Sequence, residues 1–208
     1  MSKWACFGPV AAVALGACTY QATAPISPAF DVYSNYPDKL PGNYLLYVDS
    51  DAFKGVYKVQ GFVCSAHSFP LDARGSFGVS VLKTFENLIE EVRMVDTPFD
   101  RSQLAQGGHE AQILVKAENL VVKLRVIPGF WSNTMEADVE MTASMSVDTV
   151  DGRVLGTTMA ADEDEDADAG SACEGGAQAI SGAASRAIKE LVRGLGERLS
   201  NSPRLREL

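Results

Sequence analysis

The sequence predicts an α+β domain: an antiparallel sheet with two helices packed on one face, in the order β-β-α-β-β-β-β-α. Three observations lead there. From Met135 to Asp148 apolar and polar residues alternate without a break, Met135, Ala137, Val139, Met141, Ala143, Met145 and Val147 against Glu136, Asp138, Glu140, Thr142, Ser144, Ser146 and Asp148. That period of two belongs to a long strand with one buried and one wet face. Helical spacing occurs twice, around residues 81–92 and 177–199. Between these segments there is no regular strand–helix alternation of the kind that calls for a parallel sheet.

The elements follow in order. Tyr44 to Val48 is an apolar, strand-like run, and Tyr57 to Cys64 reads as a second strand. Val81, Leu82, Phe85, Leu88, Ile89 and Val92 then recur at helical spacing, with Lys83, Glu86, Asn87, Glu90 and Glu91 between them. This amphipathic helix ends before Asp96-Thr97-Pro98, and its apolar stripe is wide enough to lie on a sheet. Gln112 to Val115 and Leu120 to Ile127 are strands, either one bent strand or a hairpin turning at Glu118-Asn119. After the long strand, Asp151-Gly152 is a hairpin turn and Arg153 to Ala161 its returning partner. The last helix, Ala177 to Leu199, places Ile180, Ala184, Ile188, Leu191, Leu195 and Leu199 in register. Its Ala- and Gly-rich first half permits close approach to the sheet, and Asn201-Ser202-Pro203 ends it.

What precedes the domain reads as an address. Lys3 leads into an apolar run from Trp4 to Ala17, too short to cross a bilayer core as a helix, which takes about 20 residues. Leu15-Gly16-Ala17-Cys18 resembles the lipobox of bacterial lipoproteins. The resemblance implies a diacylglycerol thioether on Cys18, cleavage before it, and acylation of the new amino terminus. Several acyl chains together make a stable anchor. The competing reading is an ordinary secretory signal cut at Ala22-Thr23-Ala24, which Pro25 fits poorly. In the lipoproteins it resembles, an aspartate after the cysteine signals inner-membrane retention. Thr19 stands there instead, so the expected location is the outer membrane, facing the periplasm. Residues 1–17 are then a signal peptide, 18–42 a Pro-rich tether reaching roughly 60–70 Å, 43–200 one periplasmic domain, and 201–208 a flexible tail.

Composition agrees with a globular chain: 46% hydrophobic, 22% charged, formal net charge −9 over 208 residues. An acidic chain offers no basic face to nucleic acid, so no nucleic-acid partner is expected. Charge will not hold it to anionic lipid either. Of four cysteines, Cys6 leaves with the signal and Cys18 takes lipid. Cys64 and Cys173 remain, in a compartment that oxidises thiols, and a disulfide between them is expected. Cys64-Ser65-Ala66-His67 also has Cys-x-x-His spacing. His109 is the one other histidine, however, and zinc takes three or four ligands, so no metal and no cofactor is expected.

Two further stretches stand out. Asp164, Asp166 and Asp168 have the spacing of a calcium loop, but Ala169 and Gly175 occupy the positions that require Gly and Glu. A solvated acidic loop, open to a basic partner, is the expectation for 162–168. In Pro128-Gly129-Phe130-Trp131-Ser132-Asn133, Phe130 and Trp131 are either partner-binding anchors or aromatics folded over the sheet's open end. No nucleophile elbow, metalloprotease helix or phosphate loop occurs, no catalytic residue is singled out, and the chain is not expected to be an enzyme.

The layout across residues 44–200 resembles periplasmic accessory lipoproteins of the lipopolysaccharide-assembly, curli-secretion and transporter-auxiliary types. That resemblance implies a lipid-anchored envelope protein binding a protein partner in a transport, secretion or surface-assembly complex. The alternative is a carrier or chaperone for a lipid or other apolar ligand, held between helices and sheet.

Overall fold

Residues 18–208 are described by the structure, a computed structural model; the segment of 1–17 read as a signal, with Cys6, lies outside them. In chain order the elements are β1 (Leu40–Asp49), β2 (Lys54–Tyr57), β3 (Val59–Gln60), β4 (Phe69–Asp72), α1 (Arg74–Leu88), β5 (Ile89–Met94), α2 (Arg101–Gly107), β6 (Ala111–Ile127), β7 (Thr134–Asp148), β8 (Arg153–Asp168), α3 (Gly175–Ser200) and α4 (Pro203–Arg206). The fold is α+β, as the patterning predicts. The main sheet runs β5-β1-β6-β7-β8, with β3 attached to β6, while β2 and β4 form a separate antiparallel pair.

The sheet is mixed, and this corrects the expected antiparallel one. β6, β7 and β8 are antiparallel, but β1 is parallel to both β5 and β6, and β3 is parallel to β6. The crossover from β1 to β5 contains α1, long enough to bring the chain back in the same direction. Three short strands precede α1 and hide that crossover from a search for simple alternation. The helix itself also shifts: it begins at Arg74 and stops at Leu88, whereas Ile89 and Val92 belong to β5. Ile89 is already extended (φ −119°, ψ 146°), because pairing with β1 at Leu40 and Tyr44 outweighs continuing the helical period. Gly75 and Gly78, poor helix formers, conceal the true start.

β6 settles the choice left open at Glu118-Asn119. It is one strand, with a bulge between Ala117 and Asn119 in its pairing with β7. Before the bulge the inward residues are Ala111, Ile113, Val115 and Ala117; after it they are Leu120, Val122 and Leu124. The extra residue switches the parity of the strand without ending it. On β7, from Met135 to Val147, every second side chain is buried, as the alternation predicts.

Both long helices cover that inner face. α3 buries Ile180, Ala183, Ala184, Ala187, Ile188, Leu191, Val192, Leu195 and Leu199 against β7, β8 and α1. α1 buries Phe77, Val81, Phe85 and Leu88, and each large apolar side chain so buried contributes about 1.5–3 kcal/mol. The second expected strand, Tyr57 to Cys64, reduces to the short β2 and β3, since the chain turns after Gln60. The expected flexible tail contains α4, whose Leu205 is fully buried.

The largest departure concerns residues 18–42, expected as a Pro-rich tether: Leu40, Pro41 and Gly42 already belong to β1, and residues 18–39 pack on the domain. Residues 18–22 run parallel to residues 68–71, and the residues that follow lie against α1 and α3. Ala22, Ala24 and Ala29 are buried. Two rows of helix hydroxyls serve the segment's backbone. On α1, Ser80 Oγ accepts from Ser27 N (2.8 Å), Thr84 Oγ1 accepts from Ala29 N (3.0 Å), and Ser76 donates to the Ala24 carbonyl. On α3, Ser181 Oγ accepts from Thr23 N (2.9 Å), and the hydroxyls of Ser185 and Ser27 meet at 2.7 Å. A Pro-rich segment cannot make a continuous ladder, but hydroxyls one helical turn apart satisfy it group by group.

Two expected outcomes follow from these contacts. Thr84→Val leaves the buried Ala29 N–H without its acceptor. It should lower the unfolding free energy by about 1–3 kcal/mol, read by urea denaturation, and speed hydrogen exchange at Ala29. At the start of α1, the Arg74 side chain donates to Asp72 Oδ1 (2.9 Å) and Oδ2 (2.6 Å) and holds that carboxyl down at about 2. The folded value lies below the unfolded one, about 3.9. The stabilisation is therefore complete above the unfolded value and is lost as pH falls through the folded one. In Arg74→Ala, the Asp72 carboxyl resonance followed by NMR should titrate back in the ordinary carboxylate range.

Candidate functional site

One end of the molecule gathers most of the residues singled out in the sequence. The β6–β7 connection begins after Ile127, which pairs with Thr134, and Phe130 and Trp131 stand at its tip. Gly129 makes the turn possible, because a Cβ there would collide with the Ser132 carbonyl oxygen. Phe130 and Trp131 pack edge to face, ring centres 4.8 Å apart, and are 89% and 93% exposed. They do not fold back over the sheet.

β3 brings a second loop to the same end. Gln60 lies opposite Arg125 in parallel register, so Gly61, Phe62 and Val63 leave the sheet level with Val126, Ile127 and Pro128. Phe62 is 95% exposed and Val63 about half. The chain then turns through Ser65, whose N–H donates to the Phe62 carbonyl, and His67, whose N–H donates to that of Cys64 (3.0 Å).

The expected disulfide is present. Cys64 is joined to Cys173, their Cα atoms 6.0 Å apart, across 109 residues of sequence. Both residues are left-handed, with φ of 61° and 66°, so the bridge clasps two turns. It ties the Phe62 loop to the segment that enters α3. Close packing supports that entry: a Cβ on Gly176 would come within 2.6 Å of the Phe69 ring and 2.8 Å of the Met135 methyl. Ala169 N–H donates to the Asn133 carbonyl (2.8 Å), which fastens the end of β8 to the aromatic loop.

Cys18 is at this end too. Its carbonyl accepts from Ser68 N–H (3.3 Å), and Tyr20 N–H donates to the Ser68 carbonyl (3.0 Å). The Tyr20 ring stacks on Phe69 and lies 5.5 Å from the His67 ring. Desolvation first, and then the nearby Cys18 and Glu174, raise the Tyr20 hydroxyl above its usual range. Among the described residues the Cys18 thiol is unbonded and exposed.

The histidines take other roles. Cys64 spends its sulfur on Cys173, which removes the Cys-x-x-His pair as a metal-binding unit. His67 Nδ1 is buried with no hydrogen-bond partner among the described residues. His109 lies apart, its Nδ1 3.2 Å from Asn43 Oδ1.

The acidic run is a strand, which corrects the expected loop. Residues 162–168 continue β8 and pair with Thr134 to Glu140. Alternation divides the run between the two faces. Glu163 and Glu165 turn to α3, where Arg186 reaches both and also the Asp164 carbonyl. Asp162, Asp164, Asp166 and Asp168 share the outer face with Glu136, Asp138 and Glu140. Lys123 and Arg125 of β6 pair with Asp138 (3.4 Å) and Glu136. Same-face residues of a strand sit about 6.6 Å apart, so the three aspartates do not converge as a calcium loop's ligands do. The pattern that reveals this placement is the partner strand, and it is visible only once register is known.

No family model matches the chain, and no curated protein matches it. Solved structures similar to it include a Xanthomonas campestris protein of family DUF330, 10% identical over 85% of this chain and 96% of that one, TM-score 0.40. Another is described as a neuraminyllactose-binding hemagglutinin homolog from Helicobacter pylori, 10% identical over 81% and 91%, TM-score 0.44. A third is a minor lipoprotein from Acinetobacter baumannii, 9% identical over 75% and 90%, TM-score 0.37. At such distances the likenesses carry nothing about what this chain does.

The bridge closes a long loop, so Cys64→Ser with Cys173→Ser should lower the unfolding free energy by about 4–5 kcal/mol in the chain-entropy account. Urea denaturation of oxidised protein measures this. Equal stability of the two proteins would refute the bridge's role.

Proposed function

We propose that this chain is an envelope lipoprotein, anchored through acyl groups on Cys18 in the outer membrane and facing the periplasm. There it binds a protein partner in a transport, secretion or surface-assembly complex. The observation that carries the binding half is the asymmetry of the sheet. One face is packed under α1 and α3; the other carries the segment of residues 99–104 only at its far end, by Gln112, and elsewhere presents seven carboxylates of β7 and β8 beside Lys123 and Arg125. A face of that charge fits a partner with a basic surface, steered to it over about a Debye length.

The carrier alternative gains no support from the packing. The space between helices and sheet, where an apolar ligand would sit, is filled by Phe77, Phe85, Met141, Ile180, Ile188 and Leu191 among others. The groove of about 600 Å³ beside the C-terminal half of α3 lies outside that core, and Glu197, Arg198 and Arg204 take part in its lining.

A photo-crosslinking residue in place of Asp162, on the exposed acidic face, tests the proposal in intact cells. A discrete protein adduct is expected, and it should disappear when Asp138 and Asp164 are both replaced by Lys. Absence of any adduct from this face, with the protein correctly located, would overturn the assignment.

A further inference from the structure

The three most exposed large apolar side chains among the described residues, Phe62, Trp131 and Phe130, all stand at the end where Cys18 enters the fold. Val63 and Ile127, each about half exposed, stand beside them. The segments forming this end are residues 18–23, 61–68, 126–134 and 169–173. None of them contains an Asp, Glu, Lys or Arg, in a chain of which 22% is charged. Charge resumes at the margin, with Arg125, Glu136, Asp168 and Glu174.

From this coincidence we propose that the end is a membrane foot. Phe62, Val63, Ile127, Phe130 and Trp131 enter the interfacial layer of a phospholipid surface beside the acyl chains of Cys18. The inference rests on the reading of Cys18 as the anchor, and it gives Phe130 and Trp131 a different occupant from the protein partner suggested by their sequence. Physical chemistry favours lipid on three counts. Trp131 at an uncharged tip matches the headgroup boundary, where the indole buries its ring and keeps its N–H wet, and Phe62 and Phe130 add apolar area beside it. The absence of charge removes the cost of carrying ions into that layer. Geometry supplies the third count. The segment after Cys18 is not a free spacer: residues 18–22 pair with residues 68–71 and residues 23–29 are held on α1 and α3 by the hydroxyls described above, so an acylated Cys18 holds this end of the domain close to the bilayer. The disulfide and the Ala169–Asn133 hydrogen bond keep the two aromatic loops at one level. With the foot in lipid, the long strands rise from the surface and carry the acidic face into the aqueous space.

The chain has two tryptophans, Trp4 and Trp131. Trp4 leaves with the signal when the chain is cleaved before Cys18, so the mature chain reports on Trp131 alone, and Trp4→Phe keeps this true of any uncleaved chain. Chain carrying Trp4→Phe is purified from membranes and placed on phosphatidylcholine vesicles with brominated acyl chains. The expected result is a blue shift of Trp131 emission and quenching by the bromines, insensitive to salt. Phe62→Ser and Phe130→Ser should each weaken partitioning of Cys18→Ser chain without the 1–17 signal onto the same vesicles about tenfold; both side chains are exposed, so the fold is not at stake. An unquenched, water-like Trp131 on vesicle-bound chain overturns the foot. So does quenching that is absent from vesicles while Trp131 is shielded only in native membranes, which would mark a protein partner. Mass spectrometry of the Cys18 peptide reads the anchor separately. If Cys18 proves unacylated the anchor falls, yet the foot is still decided by the quenching of chain added to the vesicles from solution.

Discussion

Two rows of hydroxyls hold the architecture in its working form. Ser76, Ser80 and Thr84 repeat at one-turn spacing on α1, Ser181 and Ser185 do so on α3, and the extended segment after Cys18 lies between them. A buried N–H without an acceptor costs about 1–3 kcal/mol, so the segment is held wherever these hydroxyls meet it. Lys189 near Asp31 and Lys39 on the Glu86 carbonyl continue the attachment at the surface. The consequence is positional. Cys18 is placed at one end of the sheet, and everything built at that end acquires a defined relation to it.

The disulfide acts on the same end from another direction. It joins a loop that follows β3 to the turn that precedes α3, two segments that share no strand pairing. Without it the Phe62 loop would be held mainly by the two residue pairs of β3. The segment after Cys18 and the disulfide thus organise loops that the sheet alone leaves weakly specified. The sheet, for its part, sorts charge by parity: on β8 the glutamates meet Arg186 of α3 and the aspartates meet solvent. One acidic run therefore serves helix docking on one face and a charged outer surface on the other.

Much of this was legible in the residue pattern, and what was not has identifiable causes. The alternation of Met135 to Val147 is β7, because a strand with one buried face imposes a period of two. The spacing of Ile180 to Leu199 is α3 for the equivalent reason at 3.6 residues. Ile89 and Val92 are ambiguous in sequence, since their spacing from Phe85 and Leu88 fits a helix while their β-branched side chains suit the strand that β1 recruits. The short α2, capped by Asp100 and Gln103, had its signature in Asp-x-x-Gln, but its one buried residue, Leu104, leaves no periodicity to find. The helix hydroxyls read as ordinary polar positions, because nothing in the sequence of α1 announces that an extended segment lies over them.

Taken alone, the sequence determined the α+β class, the two long helices, the one-faced long strand and the pairing of Cys64 with Cys173. These depend on local periodicity and on a count of residues, which a chain carries without its fold. Only the tertiary structure decided that the sheet is mixed, that the expected tether is packed, that the acidic run is a strand, and that Phe62, Phe130, Trp131 and Cys18 meet at one end. Each of those depends on contacts between segments far apart in sequence. No local pattern encodes which distant backbone will satisfy a given N–H, or which loops will share an end once the strands are in register.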